Sequence, residues 1–239
     1  MTTLLAFDTA TERMSIALAH QGRTWVRESA GGAQASALLI PGIMGVLDEA
    51  GVELAQVDAI AFGRGPGAFT GLRTACSVAQ GLAFGANKPV LPVDTLLAVA
   101  EDARQGEAPQ RIWVAMDARM NEIYAAHYLY ENGHWSTLVA PCLIDVAMLN
   151  EHWAAEAPQA VAGSALTAFA GLQTGQARLA PDASPHARAM LPLALTMWND
   201  GAAVDAALAI PLYVRDKVAQ TTAEREAARL AKESAEVSR

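Results

Sequence analysis

The sequence predicts an α/β protein with mixed sheets, organised as two similar halves. Three observations predict it. Short apolar runs with the length and composition of strands alternate with longer segments of helical period. Each half opens with three consecutive strands. In each half the first two strands are joined by a short turn that begins with an aspartate: Asp8-Thr9-Ala10-Thr11 and Asp117-Ala118-Arg119-Met120.

The elements follow in order. Residues 4–8, 15–20 and 24–29 read as strands, with Gln21-Gly22 marking a tight turn between the second and third. A helix over residues 34–50 stops at Gly51, a good C-terminal glycine. Residues 57–62 form an apolar strand, 71–85 a helix rich in small residues, 89–93 a strand and 95–104 a helix. Gln105 to Pro109 has the composition of a linker. Beyond it, residues 111–117, 122–130 and 135–144 read as strands, 145–154 as a helix and 160–163 as a short strand. The expected division is therefore 1–104, 110–218 and a tail, 219–239. The tail is rich in Ala, Glu and Arg but nearly lacks large apolar residues, so a helical or frayed segment is expected there. The internal repeat points to the duplicated α/β fold of actin, sugar kinases and Hsp70 chaperones.

Composition narrows the function. Of the 239 residues, 52% are hydrophobic and 18% charged, which fits a compact fold with extensive buried or partner-covered surface. The formal net charge is −8 and no run of Lys and Arg occurs, so an independent grip on RNA is not expected. The two cysteines, Cys76 and Cys142, belong to no metal-spaced motif and read as small buried hydrophobes of a reducing compartment. Met1 to Asp8 has neither a basic region nor a long apolar core, so no signal peptide is expected. The apolar stretch at 35–47 is interrupted and falls short of the roughly 20 residues of a membrane span. A cytoplasmic protein with no membrane contact is expected.

The most informative segment is Gly63-Arg64-Gly65-Pro66-Gly67-Ala68-Phe69-Thr70-Gly71-Leu72-Arg73, a glycine-rich turn between a strand and a helix N-terminus. That arrangement serves anion binding or close backbone packing. Thr70 is placed to cap the helix. The turn is not a Walker loop, because no Gly-Lys-Ser/Thr follows. Arg64 and Arg73 bracket it, suited to a carboxylate across an interface or to a phosphate. No Gly-x-Ser-x-Gly surrounds Ser77 or Ser164.

This turn resembles the signature of the proteins once called glycoproteases. Three further blocks narrow the likeness: Leu5 to Glu12 with Ser15 to Leu18, Ala115 to Tyr124, and Pro211 to Asp216. Together the four blocks resemble the TsaB (YeaZ) family, non-catalytic relatives of the TsaD-type subunits. The resemblance implies an actin-like fold and a role as dimerisation subunit in making threonylcarbamoyladenosine beside the tRNA anticodon. It implies a homodimer alone, and a TsaD-like catalytic subunit and a TsaE-like ATPase as partners, with tRNA met only indirectly.

Catalytic TsaD-type relatives carry two histidines at i, i+4 on one helix, where one metal can reach both. Here His20, His127, His134, His152 and His186 include no such pair. No metal and no catalytic residue is expected, which disfavours a glycoprotease-type peptidase. In the actin-like fold two hairpin turns hold the phosphates, so Asp8, Thr9, Thr11 and Asp117 are the residues that a weakly held nucleotide or anion would meet. Both turns lack glycine, so no cofactor is expected, or ATP only weakly or in the complex. An ATP-dependent enzyme of this fold is the alternative.

The helix at 34–50 carries Leu39, Ile43, Val46 and Leu47 on one face and Leu38, Pro41, Gly42 and Gly45 on the other. Mid-helix glycines cost about 1 kcal/mol each relative to Ala, so a closely approaching second helix is expected there. Gly71, Ala75, Ala79 and Gly81 give the helix at 71–85 the same character. In the family these two helices form the subunit interface. Ala35-Ser36 stands where relatives often have His-Ser or His-Thr.

Overall fold

The computed structural model describes residues 1–215. The tail expected at 219–239 lies outside them. Two five-stranded mixed sheets share one topology. In the first, β1 (Leu4–Asp8), β2 (Arg13–His20) and β3 (Arg23–Ala30) form an antiparallel meander, and β4 (Ala59–Gly65) and β5 (Val90–Asp94) extend it in parallel, in the order β3-β2-β1-β4-β5. In the second, β6 (Gln110–Asp117), β7 (Ile123–Glu131), β8 (His134–Ile144), β9 (Ala160–Ala162) and β10 (Arg178–Ala180) repeat the pattern in the order β10-β9-β6-β7-β8.

The helices repeat as well. α1 (Ala35–Ala50), α2 (Phe69–Ala86) and α3 (Thr95–Ala103) follow β3, β4 and β5; α4 (Val146–Ala155), α5 (Ala165–Ala168) and α6 (Ala187–Asn199) follow β8, β9 and β10. The fold is thus the duplicated, actin-like α/β fold that the two aspartate turns predict. The tight turns also match. Gln21-Gly22 and Asn132-Gly133 both have positive φ at the two central residues, the geometry that suits a twisted two-strand hairpin.

β1 is buried on both faces, so its side chains split between two cores. Leu5 and Phe7 pack with α1 and α2, whereas Leu4 and Ala6 pack with α3 and α6. α3 also supplies Leu96, Val99 and Ala100 to the core of the second sheet, against Ile112, Val114 and Tyr128. α4 and α5 cover the far face of that sheet around Trp113 and Trp153. α3 is therefore shared between the halves, and α6, though it follows β10, lies on β1 and β2.

The final described stretch stays with the first sheet. Val204 pairs with Val90 beside β5, Ala206 and Ala209 enter the α1–α2 core, and Leu212 N donates to Arg64 O at 2.7 Å. Sequence order alone put these residues in the second half.

β10 and α6 were not expected. Each lies in a segment with a weak local signal: β10 has three residues and α6 contains Pro192. Gly51 closes α1 in the left-handed conformation at φ 66°, as expected. Thr70 does not cap α2. Ala68 holds the N-cap position without a side-chain bond, and Thr70 is exposed in the first turn.

Candidate functional site

A cleft of about 580 Å³ lies between the two sheets. The β1–β2 turn, the β6–β7 turn, the start of α2 and residues 212–215 line it. The two turn aspartates occupy equivalent places, but their surroundings differ. Asp8 is 1% exposed. Its Oδ1 accepts from Ala10 N at 2.7 Å and its Oδ2 from Thr95 Oγ at 3.0 Å. Burial dominates these bonds and pushes its carboxyl up to about 6. Asp117 Oδ1 accepts from Arg119 N at 2.8 Å, and Ser164 Oγ accepts from Asp117 N at 3.1 Å. Both aspartates therefore brace their own hairpins.

The glycine-rich turn packs directly on the β1–β2 turn. A Cβ at Gly63 would lie 1.7 Å from Asp8 Oδ2, one at Gly67 2.6 Å from Ala10 Cβ, and one at Gly71 1.9 Å from Thr9 O. Glycine is required at these three places by contact distance. At Gly65 it is favoured by backbone conformation as well, with φ +117°. Ala68 N donates to Ala10 O at 2.8 Å, and Thr9 Oγ donates to Gly71 O at 2.7 Å. Thr11 Oγ donates to Arg13 O at 2.9 Å. The hydroxyls of Thr9 and Thr11, which a nucleotide or anion was expected to meet, are thus engaged within the chain. Close backbone packing, one of the two uses open to such a turn, is realised here.

Neither bracketing arginine faces that turn's interior. Arg64 pairs with Asp94 at 2.5 Å. Arg73 lies over the Phe69 ring, 5.0 Å from its centroid, and Phe69 meets Tyr213 at 5.3 Å between centroids. Across the cleft, Arg119 and Glu12 approach to 3.6 Å, joining the two aspartate turns. The β6–β7 turn holds Arg119, Met120 and Asn121 at φ 62°, 56° and 59°, left-handed values that non-glycine residues rarely adopt. Arg215 braces it, donating to Ala118 O and Glu122 Oε2, each at 2.8 Å.

The expected partner face divides. Leu38, Pro41 and Gly81 are exposed, and Gly45 is half-buried. Gly42, Gly71, Ala75 and Ala79 are buried within the protomer. A Cβ at Gly42 would lie 2.6 Å from Ile16 Cδ1, and one at Gly45 2.2 Å from Arg27 Nη1. Their smallness admits side chains of β2 and β3 of the same chain, where a second helix had been expected. The large apolar residues that α1 and α2 expose are Leu38, Ile40, Met44, Phe69 and Phe84, the last at 85%. Sequence reasoning missed Ile40, Met44 and Phe84. The signal was available: each is a large apolar residue outside the helix's core-facing positions.

Among the described residues no group of three His, Cys, Asp or Glu side chains is placed to hold a metal ion. His127 is buried and stacks on Trp113 at 4.6 Å. Burial lowers its pKa. Cys76 is buried, its Sγ 3.2 Å from Ala209 O, and Cys142 is half-buried; burial pushes both thiols up. No helix among the described residues is long and apolar enough to cross a membrane.

Comparisons with known proteins agree with this architecture. Residues 32–237 match the family described as TsaD, tRNA N6-adenosine threonylcarbamoyltransferase. The tRNA threonylcarbamoyladenosine biosynthesis protein TsaB of Escherichia coli (strain K12) is 34% identical over 231 residues, covering 90% of this chain and 96% of that protein. TsaB of Haemophilus influenzae is 46% identical over 130 residues, 54% of this chain and 55% of that protein. The solved structure of YeaZ from Pseudomonas aeruginosa superposes with a TM-score of 0.81 at 38% identity, covering 89% of this chain and 100% of that one. Matched by that family's model over most of its length, and by a TsaB protein and a YeaZ structure along about nine-tenths of it, the chain belongs to the TsaB (YeaZ) family of TsaD-like proteins.

Proposed function

We propose that this protein is a non-catalytic scaffold subunit in the synthesis of threonylcarbamoyladenosine on tRNA. It binds a homologous TsaD-like catalytic subunit and keeps that subunit competent for threonylcarbamoyl transfer. The observation that carries this reading is the likeness, along 90% of the chain, to a protein named for that biosynthesis.

Two features of the site support it. The turn that would open onto a phosphate is filled by backbone contacts at Gly67 and Gly71, which disfavours an ATP-dependent enzyme. Exposed Leu38, Ile40, Met44 and Phe84 give α1 and α2 apolar surface of the kind that partners cover. Through these helices the protein pairs with itself when alone and with the TsaD-like subunit in the complex. A TsaE-like ATPase joins the assembly, tRNA is met through the partners, and the work is done in the cytoplasm.

Native mass spectrometry of the chain mixed with its TsaD-like protein, with and without ATP, tests the proposal. A heteromeric species that replaces the homodimer is the expected result. A chain that stays apart from the TsaD-like protein in both conditions, or that turns over ATP alone, would sink it.

A further inference from the structure

One constellation at the edge of the cleft has no part in the scaffold reading. Ser184 Oγ and His186 Nε2 are 2.8 Å apart, and His186 Nδ1 lies 2.6 Å from Glu28 Oε1. Glu28 comes from β3, His186 immediately precedes α6, and Ser184 and Glu28 are 156 positions apart in the sequence. A carboxylate only accepts, so Nδ1 carries the proton and donates to Glu28. In the neutral ring, Nε2 is then the acceptor for the Ser184 hydroxyl. The chain order of contacts is serine, imidazole, carboxylate, the arrangement that activates a serine nucleophile.

Access and surroundings fit. Ser184 and His186 line the cleft, and the His186 side chain is 27% exposed. Ala183, next to the serine, packs in one cluster with Leu96, Met116 and Tyr124, all of which line the cleft. Arg13, bound to the other oxygen of Glu28, lines it too and supplies a positive charge. Asp102 accepts from Ser184 N at 3.1 Å and lies 3.9 Å from His186 Nε2.

We infer that Ser184, His186 and Glu28 form a nucleophilic site for acyl transfer, suited to small esters with apolar acyl groups. The Ser184 oxygen forms a bond to the ester carbon while its proton passes to His186 Nε2. The carbon–oxygen bond to the alcohol breaks, and the alcohol leaves with that proton. Water, deprotonated by the same nitrogen, then attacks the acyl-serine, releasing the carboxylic acid and restoring the hydroxyl. Glu28 is a positioning residue. The inference is independent of the scaffold reading, which makes the chain non-catalytic in threonylcarbamoyl transfer only.

The test treats the native full chain with an alkyl fluorophosphonate, which bonds its phosphorus to an activated serine oxygen and releases fluoride. Peptide mass spectrometry then locates the label, with exposed Ser77 as internal control. Labelling of Ser184 at least about a hundredfold faster than Ser77 is expected, given what a positioned base contributes. Hydrolysis of p-nitrophenyl butyrate, lost in Ser184→Ala, should accompany it. His186→Ala should abolish labelling. Glu28→Gln should slow it, with partial recovery in Glu28→Asp and an unchanged circular dichroism spectrum in all. Native protein whose Ser184 reacts no faster than Ser77 overturns the inference, whatever the variants do.

Discussion

Replacing Gly71 by alanine should destabilise the protein, against the usual direction for a glycine in a helix. Helix propensity alone favours Gly71→Ala by about 1 kcal/mol. The new methyl group, however, would lie 1.9 Å from Thr9 O and 2.9 Å from Thr9 C. These are backbone atoms of a buried turn, so relief requires moving the start of α2 away from the β1–β2 turn. Forced overpacking of this kind costs about 1–3 kcal/mol. The same movement stretches the buried bond from Thr9 Oγ to Gly71 O, now 2.7 Å, and leaving such groups unpaired costs about 1–3 kcal/mol more. The net loss is about 3 kcal/mol. Gly81 provides the control within the same helix: nothing lies within 4 Å of a Cβ there, so Gly81→Ala should stabilise by up to about 1 kcal/mol. Urea denaturation of both variants beside the wild type measures the contrast. Equal stability of the two variants would refute the reasoning, because it would show that α2 does not press on the hairpin.

Further outcomes can be stated. Asp8 has a carboxyl raised from 3.8 to about 6, so the folded state holds its proton more tightly than the unfolded chain. Its contribution is fully favourable below about pH 3.8 and is lost as pH rises through about 6, by about 3 kcal/mol in total. Asp8→Asn should therefore gain on the wild type between about pH 4 and pH 7.5 in chemical denaturation, and a pH-independent difference would disprove it. Phe84→Asp alters a side chain that is 85% exposed, so the melting temperature should hold while self-association weakens by more than about 2 kcal/mol in sedimentation. Unchanged association would move the interface off α2. The isolated protein, at net charge −8, should bind tRNA only weakly at about 150 mM salt, and a submicromolar dissociation constant without partners would contradict this.

The fold was largely legible because its signals are local. Apolar runs, Gln21-Gly22, Gly51 and the two aspartate turns each report their own conformation, and the repeat follows from their order. α6 escaped because Pro192 interrupts its pattern and because its partner surface, on β1 and β2, is remote in sequence. Gly42 and Gly45 were misread for a related reason. A helical wheel shows that Gly42 and Gly45 share a side, but not what stands opposite, and that proved to be Ile16 and Arg27 of the same chain. Ser184 and His186 lie in the loop before α6, Glu28 in β3 and Asp102 in α3, and no spacing rule joins them.

The segment 212–215 has a mechanical consequence. It is held to β4 at one end, through Leu212 N and Arg64 O, and to the β6–β7 turn at the other, through Arg215 and Ala118 O. Widening the cleft stretches this tie and must also break the contact of Arg119 with Glu12. The tie therefore opposes rotation of the two lobes about their shared helix, α3. A load that pulls the lobes apart falls first on this short segment, whose two ends are anchored in different lobes.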